Sequence, residues 1–185
     1  MTCRIPVAAV AAIAALGVAA APAAAAKKNQ IRIVGGTTFK AGKFLKDDVR
    51  FKPAAVAVKS GATVKVVDKG TDPAPHTISF IKKSLLPTGF EFEGSDPFNT
   101  LLTAHAANPE TGDVGFFQVN DGVGVPNDQA GVLEVNSLGD ASSAGDSQFM
   151  APGAGTTLKV TAAKGSTLPF YCAIHAWMQG KIKVK

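Results

Sequence analysis

Short runs in which apolar and polar residues alternate dominate the chain and predict strands. Gln30-Ile31-Arg32-Ile33-Val34 alternates and then meets Gly35-Gly36, so it reads as a first strand. The polar stretch Thr37 to Asp48 reads as a connection. Val56-Ala57-Val58-Lys59, a turn at Ser60-Gly61 and Thr63-Val64-Lys65-Val66-Val67 follow, with Val56, Val58, Val64 and Val66 on the expected core face. Gly70 to Pro75 reads as a loop, and His76 opens the strand Thr77-Ile78-Ser79-Phe80-Ile81. The rhythm returns in Ser147-Gln148-Phe149-Met150, Thr157 to Thr161, Leu168 to Cys172 and Gly180 to Lys185. In the last run Ile182 and Val184 face inward and three lysines outward, a row that suits an edge strand. The pattern predicts an all-β fold, a two-sheet β-sandwich of seven or eight strands.

Residues 82 to 146 interrupt the rhythm. Ser95-Asp96-Pro97 starts a helix, because Ser or Asp caps the first turn and Pro is tolerated there. Phe98, Leu101, Leu102 and His105 share one face of it. Val114 to Val119 and Val132 to Val135 are candidate short strands. Gly139 to Asp146, rich in Gly, Ala, Ser and Asp, reads as a mobile loop.

The first 26 residues have the form of a secretory signal. Arg4 is the positive start, Ile5 to Ala21 the apolar run, and Ala23 to Ala26 offer small cleavage positions. Cleavage is favoured over a retained anchor, since the run is Ala-rich, is interrupted by Pro22 and is followed by Lys27-Lys28. No later stretch is long enough for a membrane span. The domain is then 27–185, exported to a periplasmic, cell-surface or secreted location.

Cleavage changes the cysteine count. Cys3 leaves and Cys172 remains the only Cys, without an intramolecular disulfide partner. A free thiol is a liability in an oxidising compartment, and metal ligation removes it. Charge changes the picture again. The formal net charge is +5, yet residues 84–146 contain no Lys or Arg and ten acidic residues. The remainder is strongly basic. The acidic stretch is either a lid that complements the basic body or a docking surface for a cationic partner.

Candidate chemistry concentrates near the C-terminus, in Phe170-Tyr171-Cys172-Ala173-Ile174-His175-Ala176-Trp177-Met178-Gln179-Gly180. Thiolate, imidazole and thioether at Cys-x2-His-x2-Met spacing, with a further His, suit a mononuclear electron-transfer copper site. Such a set is acceptable to both Cu(I) and Cu(II). His76 is placed to supply the distant ligand. The predicted metal ligands are therefore His76, Cys172, His175 and Met178, around one copper ion. His105, the third His, has no partner His or Cys at helical spacing and reads as a helix-face residue.

On these residues the chain resembles the cupredoxins, the type 1 blue copper proteins of the plastocyanin/azurin family, and its ligand loop is most similar to that of amicyanin. The resemblance covers residues 47 to 81 and 147 to 185, through Phe51-x-Pro53 to Thr63-Val64, Pro75-His76, Tyr171-Cys172-Ala173-Ile174-His175, Met178 and Gly180 to Val184. It implies a Greek-key sandwich with His76, Cys172 and His175 as equatorial ligands and Met178 as a weak axial one. It also implies that the Thr77 backbone N–H donates to the Cys172 sulfur, and that electrons leave by the His175 edge within a rim of Ala173, Ile174, Ala176 and Trp177. Thr77 stands where the family often has Asn, and the span from His76 to Cys172 is longer than in small cupredoxins by about the acidic insertion.

The function expected from these readings is single-electron transfer between redox partner proteins by an exported monomer. Docking is expected near His175 and Trp177 and at the acidic insertion. A copper delivery, storage or sensing module uses the same ligands and is the alternative. A multicopper enzyme is disfavoured, because the mature chain has only three His and one Cys. Nucleic-acid binding has no motif behind it.

Overall fold

The computed structural model describes residues 29–89, 94–108 and 110–185. The expected signal segment, residues 1–26, lies outside the described residues. In chain order the elements are β1 (Gln30–Val34), β2 (Thr37–Lys40), β3 (Phe44–Asp47), β4 (Arg50–Lys52), β5 (Ala55–Val58), β6 (Thr63–Asp68), β7 (His76–Phe80), helix α1 (Asp96–Ala104), β8 (Gln118–Asn120), β9 (Val123–Val125), β10 (Leu133–Val135), β11 (Ser147–Met150), β12 (Gly155–Val160), β13 (Thr167–Tyr171) and β14 (Gln179–Val184).

Two sheets face each other. One has the order β10-β12-β6-β1-β4 and the other β5-β14-β13-β7-β11-β8-β9, while β2 and β3 form a separate hairpin. The alternation predicted from sequence places the core. Ile31 and Ile33 of β1, Val64 and Val66 of β6, and Leu158 and Val160 of β12 point inward from the first sheet. Ile78 and Phe80 of β7, Leu168 and Phe170 of β13, and Ile182 and Val184 of β14 meet them from the second. Each such side chain contributes on the order of 1.5–3 kcal/mol on full burial. Phe170 stands edge-on to Phe51 and Phe80, with ring centroids 5.1 and 5.8 Å apart.

The acidic insertion forms a third layer on the outer face of the second sheet. Leu101 of α1 and Val119 of β8 pack with Ile81, Ala144 and Tyr171 in a second apolar cluster. The insertion also lengthens both sheets, adding β8 and β9 beyond β11 and β10 beside β12. Strand β7 is consequently buried at every position. Its His76, Ile78 and Phe80 face the sandwich interior, and Thr77, Ser79 and Ile81 lie under the insertion, as the period of two requires.

The structure differs from the sequence reading at three places. Residues 37–48 are not a plain connection: β2 and β3 pair from Thr37↔Asp47 to Lys40↔Phe44 around a turn in which Gly42 has φ of +67°. The lysine-bearing β14 is not an edge strand, since it lies between β13 and β5. Its lysines reach solvent because one face of that part of the sheet is uncovered. Residues 139–146 are not a loose loop. The Asp140 carboxylate accepts the amides of Ser142 and Ser143, and Asp146 accepts those of Asp121, Asn136 and Ser137. The small residues are there for close approach. A Cβ on Gly145 would collide with the Phe80 carbonyl oxygen.

Candidate metal centre

The four predicted ligands come from two places in the second sheet. His76 begins β7, opposite Met150 of β11. Cys172, His175 and Met178 lie in the connection between β13 and β14. That connection closes on itself: the Cys172 amide donates to the Met178 carbonyl at 3.0 Å, and the Met178 amide to the His175 carbonyl at 2.8 Å. Gln179 extends the clamp, its Nε2 donating to the carbonyls of Ala176 and Pro87. A seven-residue hairpin loop with these internal bonds holds its side chains in fixed relation.

Ligand-capable atoms of His76, Cys172 and His175 all lie within 4.8 Å of one another, and all three residues are buried. Nδ1 of His175 is 3.7 Å from Cys172 Sγ, and the two imidazole rings are 5.1 Å apart. Met178 is fully buried and belongs to the same apolar cluster as Cys172. The Thr77 amide donates to Cys172 Sγ at 3.3 Å, and the Thr77 hydroxyl accepts the Ala173 amide at 2.8 Å. Thr77 therefore ties the ligand strand to the ligand loop by both backbone and side chain.

Two properties fit this set to a metal. Both ring nitrogens of His76 are buried without a hydrogen-bond partner, a costly condition that coordination relieves. The donors are one sulfur and two imidazoles, the soft and borderline types that suit copper. Burial, and then the neighbouring His175, hold the His76 pKa below its ordinary value, so the ring is neutral and able to donate a lone pair. Burial pushes the Cys172 thiol upward. A bound metal opposes that effect by favouring the thiolate.

Carboxylates surround the imidazoles, and the sequence reading did not find them. Asp72 Oδ2 is 3.0 Å from Nε2 of His175, without the alignment of a hydrogen bond, and Asp47 Oδ2 is 3.8 Å away. Asp47, Asp72 and His175 form a second cluster of potential ligand atoms. It shares His175 through Nε2, on the other edge of the ring from Cys172. Asp68 Oδ2 is 3.9 Å from Nε2 of His76 and is itself held by the Gly153 amide, while Oδ1 accepts the Gly70 amide. Carboxylates at the far nitrogen of an imidazole orient the ring and raise its basicity toward a metal. The only sequence signal was four acidic residues in an otherwise basic body.

The rim expected around His175 is present in part. Ile174 and Trp177 are 43% and 46% exposed, but His175 itself is only 5% exposed, beneath Trp177 and the carboxylates. The Trp177 ring stands edge-on to His175 at 5.3 Å, and its Nε1 donates to the Val49 carbonyl. His105 is buried at the end of α1, with Nδ1 2.6 Å from the Phe116 carbonyl and Nε2 2.8 Å from Ser147 Oγ.

Residues 39–185 match the family model of copper-binding proteins, plastocyanin/azurin family. The chain belongs to that family. It is a copper-binding cupredoxin, and its His–Cys–His group could hold one metal ion. Similar solved structures include a purple cupredoxin from Nitrosopumilus maritimus, 14% identical over 85% of this chain and 100% of that one, with a TM-score of 0.41. A reduced amicyanin variant is 13% identical over 87% and 85% of the two chains, with a TM-score of 0.41. An auracyanin from Roseiflexus castenholzii is 17% identical over 85% and 98%, with a TM-score of 0.39. No curated protein matches this cupredoxin in sequence.

Proposed function

We propose that the chain is an exported type 1 copper protein that carries single electrons between partner proteins. His76, Cys172, His175 and Met178 are the residues that would hold the copper. The observation that carries this reading is the convergence of three buried donors within 4.8 Å, with both nitrogens of His76 unpartnered. When bound, copper supplies a Cu(I)/Cu(II) couple to which the mixed sulfur and imidazole set is suited in both states.

The chain's own residues account for the rest. The closed ligand loop and the Thr77 bridge resist rearrangement, so little reorganisation accompanies a change of charge at the site. Burial excludes water from the donors. The Thr77 amide on Cys172 Sγ stabilises negative charge on sulfur, which raises the reduction potential. Electrons pass at the His175 edge under Ile174 and Trp177, where a partner docks, with Asp47 and Asp72 adding negative potential beside the apolar rim. The chain acts as a monomer and has no substrate chemistry of its own.

The depth of the donors favours the carrier over the copper-delivery alternative, because a deeply buried metal exchanges slowly. The test is addition of Cu(II) to the purified protein. An intense visible thiolate-to-copper band that disappears in Cys172→Ala is expected, and a band that survives the substitution sinks the site assignment. Rapid copper loss to a chelator together with slow electron self-exchange points to delivery instead.

A further inference from the structure

Two carboxylates converge on the edge of His175 that faces away from Cys172. Nδ1 of the ring is 3.7 Å from Cys172 Sγ, while Nε2 is 3.0 Å from Asp72 Oδ2 and 3.8 Å from Asp47 Oδ2. Each carboxylate is held by its other oxygen. Asp72 Oδ1 accepts the Ala74 amide at 3.1 Å, and Asp47 Oδ1 accepts the Val49 amide at 3.1 Å. Both Oδ2 atoms are thereby left toward the ring, with the exposed Thr37 hydroxyl donating to that of Asp47 at 3.2 Å.

A ring–carboxylate hydrogen bond does not account for this arrangement. Asp72 is only 7% exposed, and its Oδ2 is buried without a hydrogen-bond partner, since the 3.0 Å approach to Nε2 lacks the alignment of one. An anionic oxygen left in that state is costly. Among the described residues no lysine or arginine pairs with Asp47 or Asp72; the nearby Lys46 and Arg50 are on Asp48. The spacing suits a shared ion instead. Zinc holds nitrogen and oxygen ligands at about 2.0–2.2 Å, so two of its ligands lie about 3–4 Å apart. The separations from Nε2 are 3.0 and 3.8 Å, and ligand atoms of all three residues fall within 4.8 Å of one another. One imidazole with two carboxylates is a borderline set that suits zinc, whereas calcium and magnesium take oxygen donors. Asp47, with a side chain 21% exposed, leaves a solvent side from which a water can complete the coordination.

We propose that Asp47, Asp72 and Nε2 of His175 form a second metal site, for zinc or a divalent cation of the same borderline type, back to back with the copper site and sharing its His175. In the copper-loaded chain the inference rests on the copper reading. Zinc then joins the ring at Nε2 in place of the hydrogen there, which leaves to solvent as a proton, and no electron is transferred. In a chain that lacks the thiol the site stands alone, on a neutral ring that keeps its hydrogen at Nδ1 and offers the lone pair of Nε2. Zinc in this place covers the ring edge proposed as the electron path and ties the end of β3 to the ligand loop.

The test titrates Zn(II) into the copper-loaded full chain, in the wild type, Asp47→Asn and Asp72→Asn. The wild type should take up one zinc with the blue band retained, and X-ray absorption at the zinc edge should show one imidazole and oxygen donors without sulfur. Each variant should bind zinc about 100-fold more weakly, the upper end of the loss for an outer-shell partner, since here a charged ligand itself is removed. Unchanged zinc affinity in both variants, a sulfur donor on zinc, or loss of the blue band as zinc binds overturns the proposal. Metal-free Cys172→Ala separates this site from the copper reading. It should still bind one zinc, and adding Asp72→Asn should cost the same factor. No zinc binding there, or an affinity unchanged by Asp72→Asn, overturns the proposal. If the Asn variants do not fold, the zinc-edge spectrum of the wild type and zinc uptake by Cys172→Ala decide. Absence of a blue band in the wild type refutes the copper site instead, and the Cys172→Ala titration still reports on this one.

Discussion

The two faces of β7 are built on different terms. Toward the sandwich it presents His76, Ile78 and Phe80, a metal donor set in an apolar core. Toward the insertion it presents Thr77, Ser79 and Ile81, where hydroxyls lie buried only because α1 and β8 cover them. On the first face residue type follows from chemistry and packing that any small sandwich shares. On the second it follows from a neighbour that only this chain's insertion supplies. The same backbone thus serves a general scaffold and a particular one, and the two meet at Thr77.

The sharpest division between the faces comes from the donors. Cys172→Ser should abolish the intense visible band altogether and leave the fold intact by circular dichroism, since the serine hydroxyl is nearly as small but is a hard donor. Next in size is the insertion's packing. Leu101→Ala should cost about 2–5 kcal/mol in urea unfolding, as large-to-small changes at buried sites do, while retaining the blue band. A loss of colour in that variant would show that the two layers are not separable. Asp72→Asn keeps size but removes the charge beside His175, and should weaken Cu(II) binding by about 10–100-fold in a chelator competition.

A smaller effect is expected from pH on the metal-free protein. His76 and His105 are both held neutral by burial, with folded pKa values below the unfolded value of about 6.5. The unfolded chain therefore binds more protons in acid, and stability rises with pH through that window. The contribution is complete above about pH 6.5 and is lost as pH falls through the lowered folded values. Urea midpoints above and below this window should show the decline, and copper should extend it to lower pH, because a His76 held by the metal stays unprotonated in the folded state. The smallest effect belongs to the surface charges between body and insertion. Lys159 and Glu134 pair at 2.8 Å but are about half exposed, so Lys159→Met should change stability by less than about 1 kcal/mol. A larger loss would mean that charge, rather than the Leu101 cluster, seats the insertion.

Much of the first face was legible in the sequence. Ile31, Ile33, Val64 and Val66 announce inward-facing strand positions by alternation, and Cys172-x2-His175 announces two of the three residues whose ligand atoms converge. The helix was legible too, from Ser95-Asp96-Pro97 and the Leu101 face. The second face was not. Ser79 and Ser147 are 68 positions apart, and nothing in either local pattern says that a later helix will bury them. Asp47 reaches His175 from the end of β3 and Asp72 from the loop before β7, so no spacing rule connects them. The β2–β3 hairpin was hidden because its apolar residues, Phe39, Phe44 and Leu45, stay 73%, 49% and 69% exposed and announce no inward face. Gly139 to Asp146 was misread because small residues required for close backbone approach have the same composition as a mobile loop.

The long separation of His76 from Cys172 also bears on the thermodynamics of the unfolded chain. A metal held by both residues closes a ring that contains the whole insertion. The entropy of closing a flexible ring grows only with the logarithm of its length, about 0.6 kcal/mol for each doubling. Lengthening the segment between two ligands therefore adds little to the free energy of assembling the centre. An entire extra layer can be spliced between the first predicted ligand and the other three at almost no entropic penalty, provided that it packs its own apolar face against Ile81 and Tyr171.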